Sequence, residues 1–191
     1  LPADCLIAVT SGRFVDQKGH RYLVEAAPRI VAACPSVRFL WLGDGPLRDE
    51  LRRMIDATNL GDYFVFAGML ADFELELAGS DLMVHPSIEE PFGIVLIEGM
   101  RSGLPIAASR VGGIPEVVAE LETAALFPPC DSFAIAQAVI PLLGDPSLRG
   151  RFGAAGRARY GEHFGYDTML DRVEAYFHSQ VKSAGCTNGT A

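Results

Sequence analysis

Short apolar runs alternating with amphipathic stretches constrain this chain more than any other feature. Six runs read as strands: Cys5–Thr10, Val37–Leu42, Tyr63–Ala67, Asp81–His85, Pro105–Ser109 and Ala124–Phe127. They are apolar on both faces, as strands of a buried parallel sheet are. Between the first two, Leu23, Ala26, Ala27, Ile30 and Val31 recur at helical spacing, which predicts a helix over His20–Ala33. Pro46 suits the first position of a helix reaching about Leu60. Shorter helices are expected over Asp72–Ala78, Phe92–Ser102 and Pro115–Glu120. This alternation specifies a doubly wound α/β domain around a six-stranded parallel sheet. Three helical segments follow with no strand between them: Ser132–Leu143, Ser147–Tyr160 and about Asp167–Ser179. The last carries Met169, Leu170, Val173, Tyr176 and Phe177 on one packing face. Residues 1–180 are read as a single domain and 181–191 as a flexible tail.

Length and charge narrow the classes of function. The 191 residues suffice for one domain with a sizeable core. A formal net charge of −8 argues against nucleic acid, whose binding needs a basic face. No apolar run approaches the roughly 20 residues that span a bilayer, and Leu1-Pro2-Ala3-Asp4 lacks the basic start of a signal peptide. The chain starts at Leu1 and enters a strand almost at once, so it reads as a domain cut from a longer protein; a processed N-terminus fits the same start. Cys5, Cys34, Cys130 and Cys186 show neither metal spacing nor a disulfide framework, which suggests free thiols in a reducing compartment. His20, His85, His163 and His178 are scattered, and no metal site is expected. Asn188-Gly189-Thr190 fits a glycosylation sequon, read as accidental in a cytoplasmic protein.

In a doubly wound sheet the ligand sits outside the carboxyl ends of the strands. Arg13, Gly43, Gly68, Pro86 and Gly112 all fall on that rim. Arg13 and Lys18 stand beside Gly12 and Gly19 directly after the first strand. A planar guanidinium fork and a mobile ammonium can together hold a diphosphate; two solvated surface cations are the competing reading, and the position after the first strand favours the ligand. Glu90 and Glu98 flank a helix start at Phe92–Val95, whose unpaired N–H groups favour phosphate oxygens. Gly93 permits close approach. Glu90 can accept from sugar hydroxyls, and Glu98 from a pair of ribose hydroxyls. Alone, Glu90 would read as a complement to the helix dipole and Glu98 as a solvent-facing helix residue. With the first loop they suit a molecule that has a diphosphate at its centre and hydroxyls at both ends. On a single helix they would lie about 12 Å apart along the axis, beyond the roughly 5–9.5 Å of a glycosidase pair.

Other features are less decisive. Gly43-Asp44-Gly45-Pro46-Leu47-Arg48 approaches a dinucleotide fingerprint, but Arg48 replaces the third glycine and the run follows the second strand, so a plain strand-to-helix turn is the better reading. Gly112-Gly113-Ile114-Pro115-Glu116 is either a ligand loop or turn chemistry. His85 either touches a sugar or is a structural histidine bonded to the backbone.

The ordered set resembles a known family. Gly12-Arg13 to Lys18-Gly19, Gly43-Asp44-Gly45-Pro46, Phe66-Ala67-Gly68, His85-Pro86-Ser87, Glu90-Pro91-Phe92-Gly93 to Glu98, Gly103-Leu104-Pro105 and Gly112-Gly113-Ile114-Pro115-Glu116 are similar to motifs of the C-terminal, donor-binding domain of retaining glycosyltransferases of the family 4 type. The resemblance runs from about Leu6 to Phe177. It implies a Rossmann-like sheet forming one half of a GT-B fold, with an acceptor-binding N-terminal domain of the same protein outside this chain. It implies that Arg13 and Lys18 bind the donor diphosphate, with Gly12 beside them, and that Glu90 contacts the transferred sugar next to Phe92 and Gly93. The Ile94 and Val95 backbone would meet phosphate, Glu98 the ribose, and Ala67, Gly68 and Met69 the base. Hexosyl transfer would retain anomeric configuration and need no metal. The donor is a nucleotide-diphosphate sugar, with UDP the default because it is commonest among such enzymes. The isolated domain would be inactive, and the location cytoplasmic, with the membrane surface a further place for the full-length protein. A non-catalytic nucleotide-sugar-binding module, a nucleotide-sugar epimerase of GT-B architecture and, last, a dinucleotide oxidoreductase are the alternatives. The family commonly has glycines near Leu121, Ala124 and Cys130, where this chain carries larger residues.

Overall fold

The computed structural model of the chain describes residues 4–185. Six strands form one sheet: β1 Leu6–Ser11, β2 Val37–Leu42, β3 Phe64–Gly68, β4 Leu82–His85, β5 Ile106–Ser109 and β6 Ala124–Phe127. Their order is β3-β2-β1-β4-β5-β6, and every neighbouring pair is parallel. Eight α-helices accompany the strands in the described residues: α1 His20–Ala33, α2 Arg48–Ala57, α3 Glu74–Ala78, α4 Ile94–Ser102, α5 Ile114–Val117, α6 Ser132–Gly144, α7 Pro146–His163 and α8 Tyr166–Gly185. The doubly wound, six-stranded, Rossmann-like architecture is thus the one the sequence led us to expect.

The alternation of strand side chains explains the two-sided core. Ala8, Phe39, Trp41, Leu82, Val84 and Ala107 point to one face, where they meet Leu23, Ala27 and Ile30 of α1 and Ile135, Val139 and Leu142 of α6. Their sequence neighbours Val9, Leu40, Leu42, Met83, Ile106 and Ala108 point to the other, against Leu96 and Met100 of α4 and Ile114 and Val117 of α5. Both faces are covered, so the strands carry almost no polar residues.

Local chemistry fixes where helices begin and end. Gly93, at φ +92°, is the N-cap of α4, so the helix expected from Phe92 starts at Ile94. Asn59 at φ +57° lies beyond the end of α2, which stops at Ala57, short of Leu60. Asp131 caps α6 through the amides of Phe133 (3.0 Å) and Ala134 (2.9 Å), and Asp145 caps α7 through Ser147 (2.8 Å) and Leu148 (3.1 Å). The helix expected over 167–179 runs from Tyr166 to Gly185, into the segment read as tail; residues 186–191, with Cys186 and the sequon, lie outside the described residues.

Helix α7 serves as a clamp. Arg149 donates to the carbonyls of Leu142 (2.9 Å) and Leu143 (2.7 Å) at the end of α6. Arg157 donates to Ser102 (3.0 Å) at the end of α4, and Arg159 to Val117 (2.7 Å) and Glu116 (2.8 Å) at the end of α5. Three helix C-termini, each with free carbonyls and negative partial charge, are therefore closed by cations from one helix. Among the described residues no helix is long and apolar enough to cross a membrane.

Candidate functional site

The strand order places β1 beside β4, with β2 and β3 on one side and β5 and β6 on the other. The chain leaves β1 toward β2 and β4 toward β5, so a crevice opens between the two at their carboxyl ends. Loops from both strands meet there.

The first loop, after β1, is anchored by Phe14, which is buried against Trp41 and Phe66. Its main chain bonds to the β2 loop: Gly12 N donates to Leu42 O at 2.9 Å and Phe14 N to Asp44 O at 2.9 Å. A Cβ on Gly43 would overlap the Gly12 carbonyl oxygen, so this glycine is needed for loop-on-loop packing. Asp44 receives Gly45 N at 2.7 Å and Arg48 Nη1 at 2.6 Å, the strand-to-helix turn the broken fingerprint suggested. The loop then makes a single 3-10 turn at Asp16–Lys18. Gln17 O accepts from Ile88 N (2.7 Å) and Glu89 N (3.3 Å), which staples the first loop to the loop after β4.

That staple brings Lys18 onto Glu90, 72 positions away in sequence, in an ion pair. Glu90 is the centre of a buried cluster. His85 Nε2 lies 2.8 Å from Glu90 Oε2, Ser87 Oγ lies 2.9 Å from His85 Nε2, and Ser87 Oγ donates to Glu90 Oε2 at 3.4 Å. His85 and Ser87 are fully enclosed, Glu90 nearly so, and Lys18 stays partly open to solvent. The His85 hydrogen bond, then the Lys18 ammonium, hold the Glu90 carboxyl at about 2, against the opposing effect of its burial. Burial pushes His85 below the usual histidine range, and Glu90 opposes that shift. At neutral pH Glu90 is a carboxylate and His85 a neutral imidazole.

A cleft of about 430 Å³ lies over this cluster. It brings together Gly12, Lys18, Glu90, Phe92, Gly93, Ile94, Val95 and Glu98 from the residues singled out in the sequence. The first turn of α4 opens into it; Gly93 provides no side-chain cap, so the amides of Ile94 and Val95 are free to face a ligand. Glu98 lies half-buried further along α4 and also lines an adjoining cavity of about 460 Å³ between α3 and α4, with Phe73, Glu74 and Arg101. Burial raises the Glu98 carboxyl above its ordinary range; Arg101 opposes this and Glu74 adds to it. Glu90 precedes α4 by four residues, so the single-helix separation does not apply to this pair.

The remaining expected residues sit apart. Arg13 is exposed next to Gly12, without an ion-pair partner among the described residues, and does not line the cleft. Ala67, Gly68 and Met69 stand at the end of β3, with Ala67 and Met69 exposed and Gly68 at φ +79° accepting from Gly43 N at 2.8 Å. The Gly112-Gly113 loop braces the site from behind, since Gly113 N donates to Glu90 O at 3.0 Å. The side chain of His85 bonds to Glu90 and Ser87. Sequence reasoning missed Phe73 and Ser109. Ser109 ends β5 on the same rim, which could have flagged it; its hydroxyl donates to Ser87 O and, at 3.2 Å, to His85 O. Among the described residues no group of three or more His, Cys, Asp or Glu is placed to hold a metal ion.

The chain is a doubly wound, Rossmann-like α/β domain with an ion-paired Lys and Glu and a free helix start at its switch point. Residues 1–159 match the family model described as glycosyl transferases group 1, and the chain belongs to that family. It is 37% identical over 176 residues to a lipopolysaccharide core biosynthesis glycosyltransferase, LpsD, of Rhizobium meliloti strain 1021, covering 89% of this chain and 50% of that protein. Sucrose-phosphate synthase of Thermosynechococcus elongatus superposes with a TM-score of 0.84 at 34% identity, covering 96% of this chain and 47% of the other. Anabaena Alr3699/HepE in complex with UDP superposes with a TM-score of 0.85 at 26% identity, covering 93% of this chain and 50% of the other. The chain thus spans about half the length of the relatives it matches.

Proposed function

We propose that this chain is the donor-binding half of a retaining glycosyltransferase that moves a hexosyl group from a nucleotide-diphosphate sugar to an acceptor. The observation that carries the reading is the single cleft of about 430 Å³ in which Lys18, Glu90, Glu98 and the first turn of α4 meet. A cation and a free helix start suit the diphosphate, and a carboxylate at each end suits the hydroxyls of hexose and ribose. The volume lies within the roughly 300–1,000 Å³ of small-molecule sites.

In this reading Glu98 accepts from the ribose, and Ala67 and Met69, around Gly68, meet the base through backbone groups. The diphosphate lies over the amides of Ile94 and Val95, with Gly12 and Gly93 allowing close approach and Phe92 flanking the sugar. Lys18 moves from Glu90 to the phosphate oxygens, and Arg13 joins it. As the bond from the anomeric carbon to the diphosphate oxygen breaks, the acceptor hydroxyl oxygen bonds to that carbon on the same face and its proton passes to the leaving diphosphate, whose growing negative charge these donors stabilise. Glu90 accepts a sugar hydroxyl and holds the anomeric carbon in position. No metal has a part. The acceptor site belongs to an N-terminal domain of the same protein, so the isolated chain binds donor without turning it over.

Calorimetric titration of the chain with UDP, GDP and ADP, and then with their hexose conjugates, tests the reading. One nucleotide diphosphate should bind, and Lys18→Met should weaken it by roughly tenfold, the effect of removing one charged hydrogen bond. Failure of all three to bind would sink the proposal, and sugar transfer by the isolated chain would refute its division of labour.

A further inference from the structure

Glu90 has two strong partners of different character. Lys18 reaches it from a surface loop on a flexible stem and is partly exposed, whereas His85 reaches it from the end of β4 with only 2% of its side chain exposed. A diphosphate in the cleft competes with Glu90 for the ammonium, and a mobile point charge is free to leave. The imidazole is not: it is buried, as are Pro86 and Ser87 that follow it in the chain.

The hydrogen-bond chemistry fixes the tautomer. A carboxylate only accepts, so the proton between His85 Nε2 and Glu90 Oε2, 2.8 Å apart, belongs to the histidine. Nε2 then has no lone pair to offer Ser87, whose hydroxyl is left to donate to the same carboxylate oxygen at 3.4 Å. Both groups therefore aim protons at Glu90. The main chain beneath them is held at each end, by the Ser109 hydroxyl on the carbonyls of Ser87 and His85 and by Gly113 N on Glu90 O. The backbone leaves the Glu90 side-chain torsions unset, and His85 sets them.

We propose that His85 is a positioning residue for the sugar end of the donor: its Nε2–H fixes the Glu90 carboxylate once Lys18 has been drawn to the diphosphate. The proposal rests on the donor-site reading above. It assigns His85 no contact with the ligand. Its effect is confined to the affinity that the hexose adds to the nucleotide, because the diphosphate and ribose contacts lie elsewhere in the cleft.

Calorimetry on the 191-residue chain with UDP and with UDP-glucose separates the two ideas. In the wild-type chain UDP-glucose should bind more tightly than UDP. In His85→Phe, UDP affinity should stay within about twofold while the gain from glucose falls by about tenfold, as for loss of a hydrogen bond to a charged group. His85→Gln retains an N–H donor and should recover most of the gain. A wild-type chain that binds neither ligand, or gains nothing from the hexose, overturns the donor-site reading and this proposal with it. A wild-type gain that His85→Phe keeps, or a loss that His85→Gln fails to restore, overturns this proposal alone. Long-range proton–nitrogen correlation spectra of the wild-type imidazole supply a second measurement without substitution. The Nε2–H tautomer should be seen both free and with UDP-glucose bound, and an Nδ1–H tautomer in either state overturns the proposal.

Discussion

The amide of Gly113 donates to the carbonyl oxygen of Glu90 at 3.0 Å, and Gly112 packs its α-carbon against the same peptide. A Cβ on Gly112, at φ +49°, would overlap that carbonyl oxygen, whereas a Cβ on Gly68, at φ +79°, would meet nothing within 4 Å. Gly112→Ala should therefore carry both a left-handed backbone penalty and an overlap with main chain that cannot rotate away, about 2–4 kcal/mol together. Gly68→Ala should cost only the backbone penalty less glycine's extra freedom in the unfolded chain, about 0.5–1 kcal/mol. Urea unfolding of the two variants checks the ranking; equal losses would mean that the Gly112–Glu90 contact is not tight.

Acid sensitivity should begin with a histidine outside the cleft. His20 opens α1 with its ring buried, edge-on to Phe14 (centroids 4.9 Å apart) and Trp41 (5.1 Å), and neither ring nitrogen has a hydrogen-bond partner among the described residues. Burial, then the nearby His85 and Lys18, lower its pKa from 6.5 to about 3. Between those values the unfolded chain binds a proton that the folded chain refuses, so stability is full above pH 6.5 and falls as the pH drops below it. His20 alone should account for about 2 kcal/mol of loss by about pH 5. His85, also lowered by burial, adds to the same limb. Glu90 acts lower: its ionised form contributes above the ordinary 4.5, and that contribution fades as the pH nears about 2. His20→Phe keeps the ring contacts and removes the buried donor, so it should raise stability at neutral pH by about 1 kcal/mol. It should also flatten the curve between pH 6.5 and 4.5. Urea midpoints measured against pH would show an unchanged slope if His20 were not the group that titrates.

At two of the three positions where this chain departs from the family pattern, the backbone is left-handed. Leu121 and Cys130 stand at φ +62° and +59°, where larger residues replace the glycines common in the family, and both are exposed. The turns on either side of β6 keep a left-handed geometry that these side chains disfavour. An L-residue there costs about 1–2 kcal/mol, of which glycine's extra freedom in the unfolded chain returns roughly 0.5–1 kcal/mol. Leu121→Gly and Cys130→Gly should each stabilise the domain by about 0.5–1 kcal/mol, read as a rise in the thermal midpoint. A fall in either variant would mean that the side chain makes a contact worth more than the strain.

What the sequence disclosed and what it withheld divide along one physical line. The runs Val37–Leu42 and Ala124–Phe127 match β2 and β6 residue for residue, because burial on both faces demands mostly apolar side chains, with the partly exposed Arg38 the one charged residue. Helix α4 starts two residues later than its apolar pattern suggests, because the start depends on the positive φ of Gly93, a property of the folded turn. Lys18, Glu90 and Glu98 can be gathered from motif order and the rim rule. The partners of Glu90 cannot: His85 reads as a ligand contact or a backbone-bonded residue, since nothing local says that Gln17 ties the two loops together. Nothing in the periodicity of Ser147–Tyr160 marks its arginines, yet Arg149, Arg157 and Arg159 all close the ends of other helices. Interactions within one turn or strand are written in periodicity; those between loops appear only once the sheet order has set their distance.

The Glu98 carboxyl offers the last test, because its titration and its proposed work point in the same direction. The ionised form accepts one ribose hydroxyl on each of its two oxygens, whereas protonation turns one of those oxygens into a donor. Burial raises its pKa, with Arg101 opposing and Glu74 reinforcing, so Glu98 takes up its proton at a higher pH than an ordinary glutamate. Nucleotide affinity should therefore begin to fall on acidification before free carboxylates titrate, and a bound nucleotide that stabilises the carboxylate should move the onset lower. Glu98→Gln keeps the shape but exchanges one acceptor for a donor; it should bind UDP about tenfold more weakly at neutral pH and lose this part of the pH dependence. Glu74→Gln, which removes the neighbouring negative charge and leaves the ribose contact alone, should shift the onset downward without weakening binding at neutral pH. Calorimetry on the three chains across the acidic range decides the matter: if Glu98→Gln retains wild-type affinity, the ribose lies elsewhere.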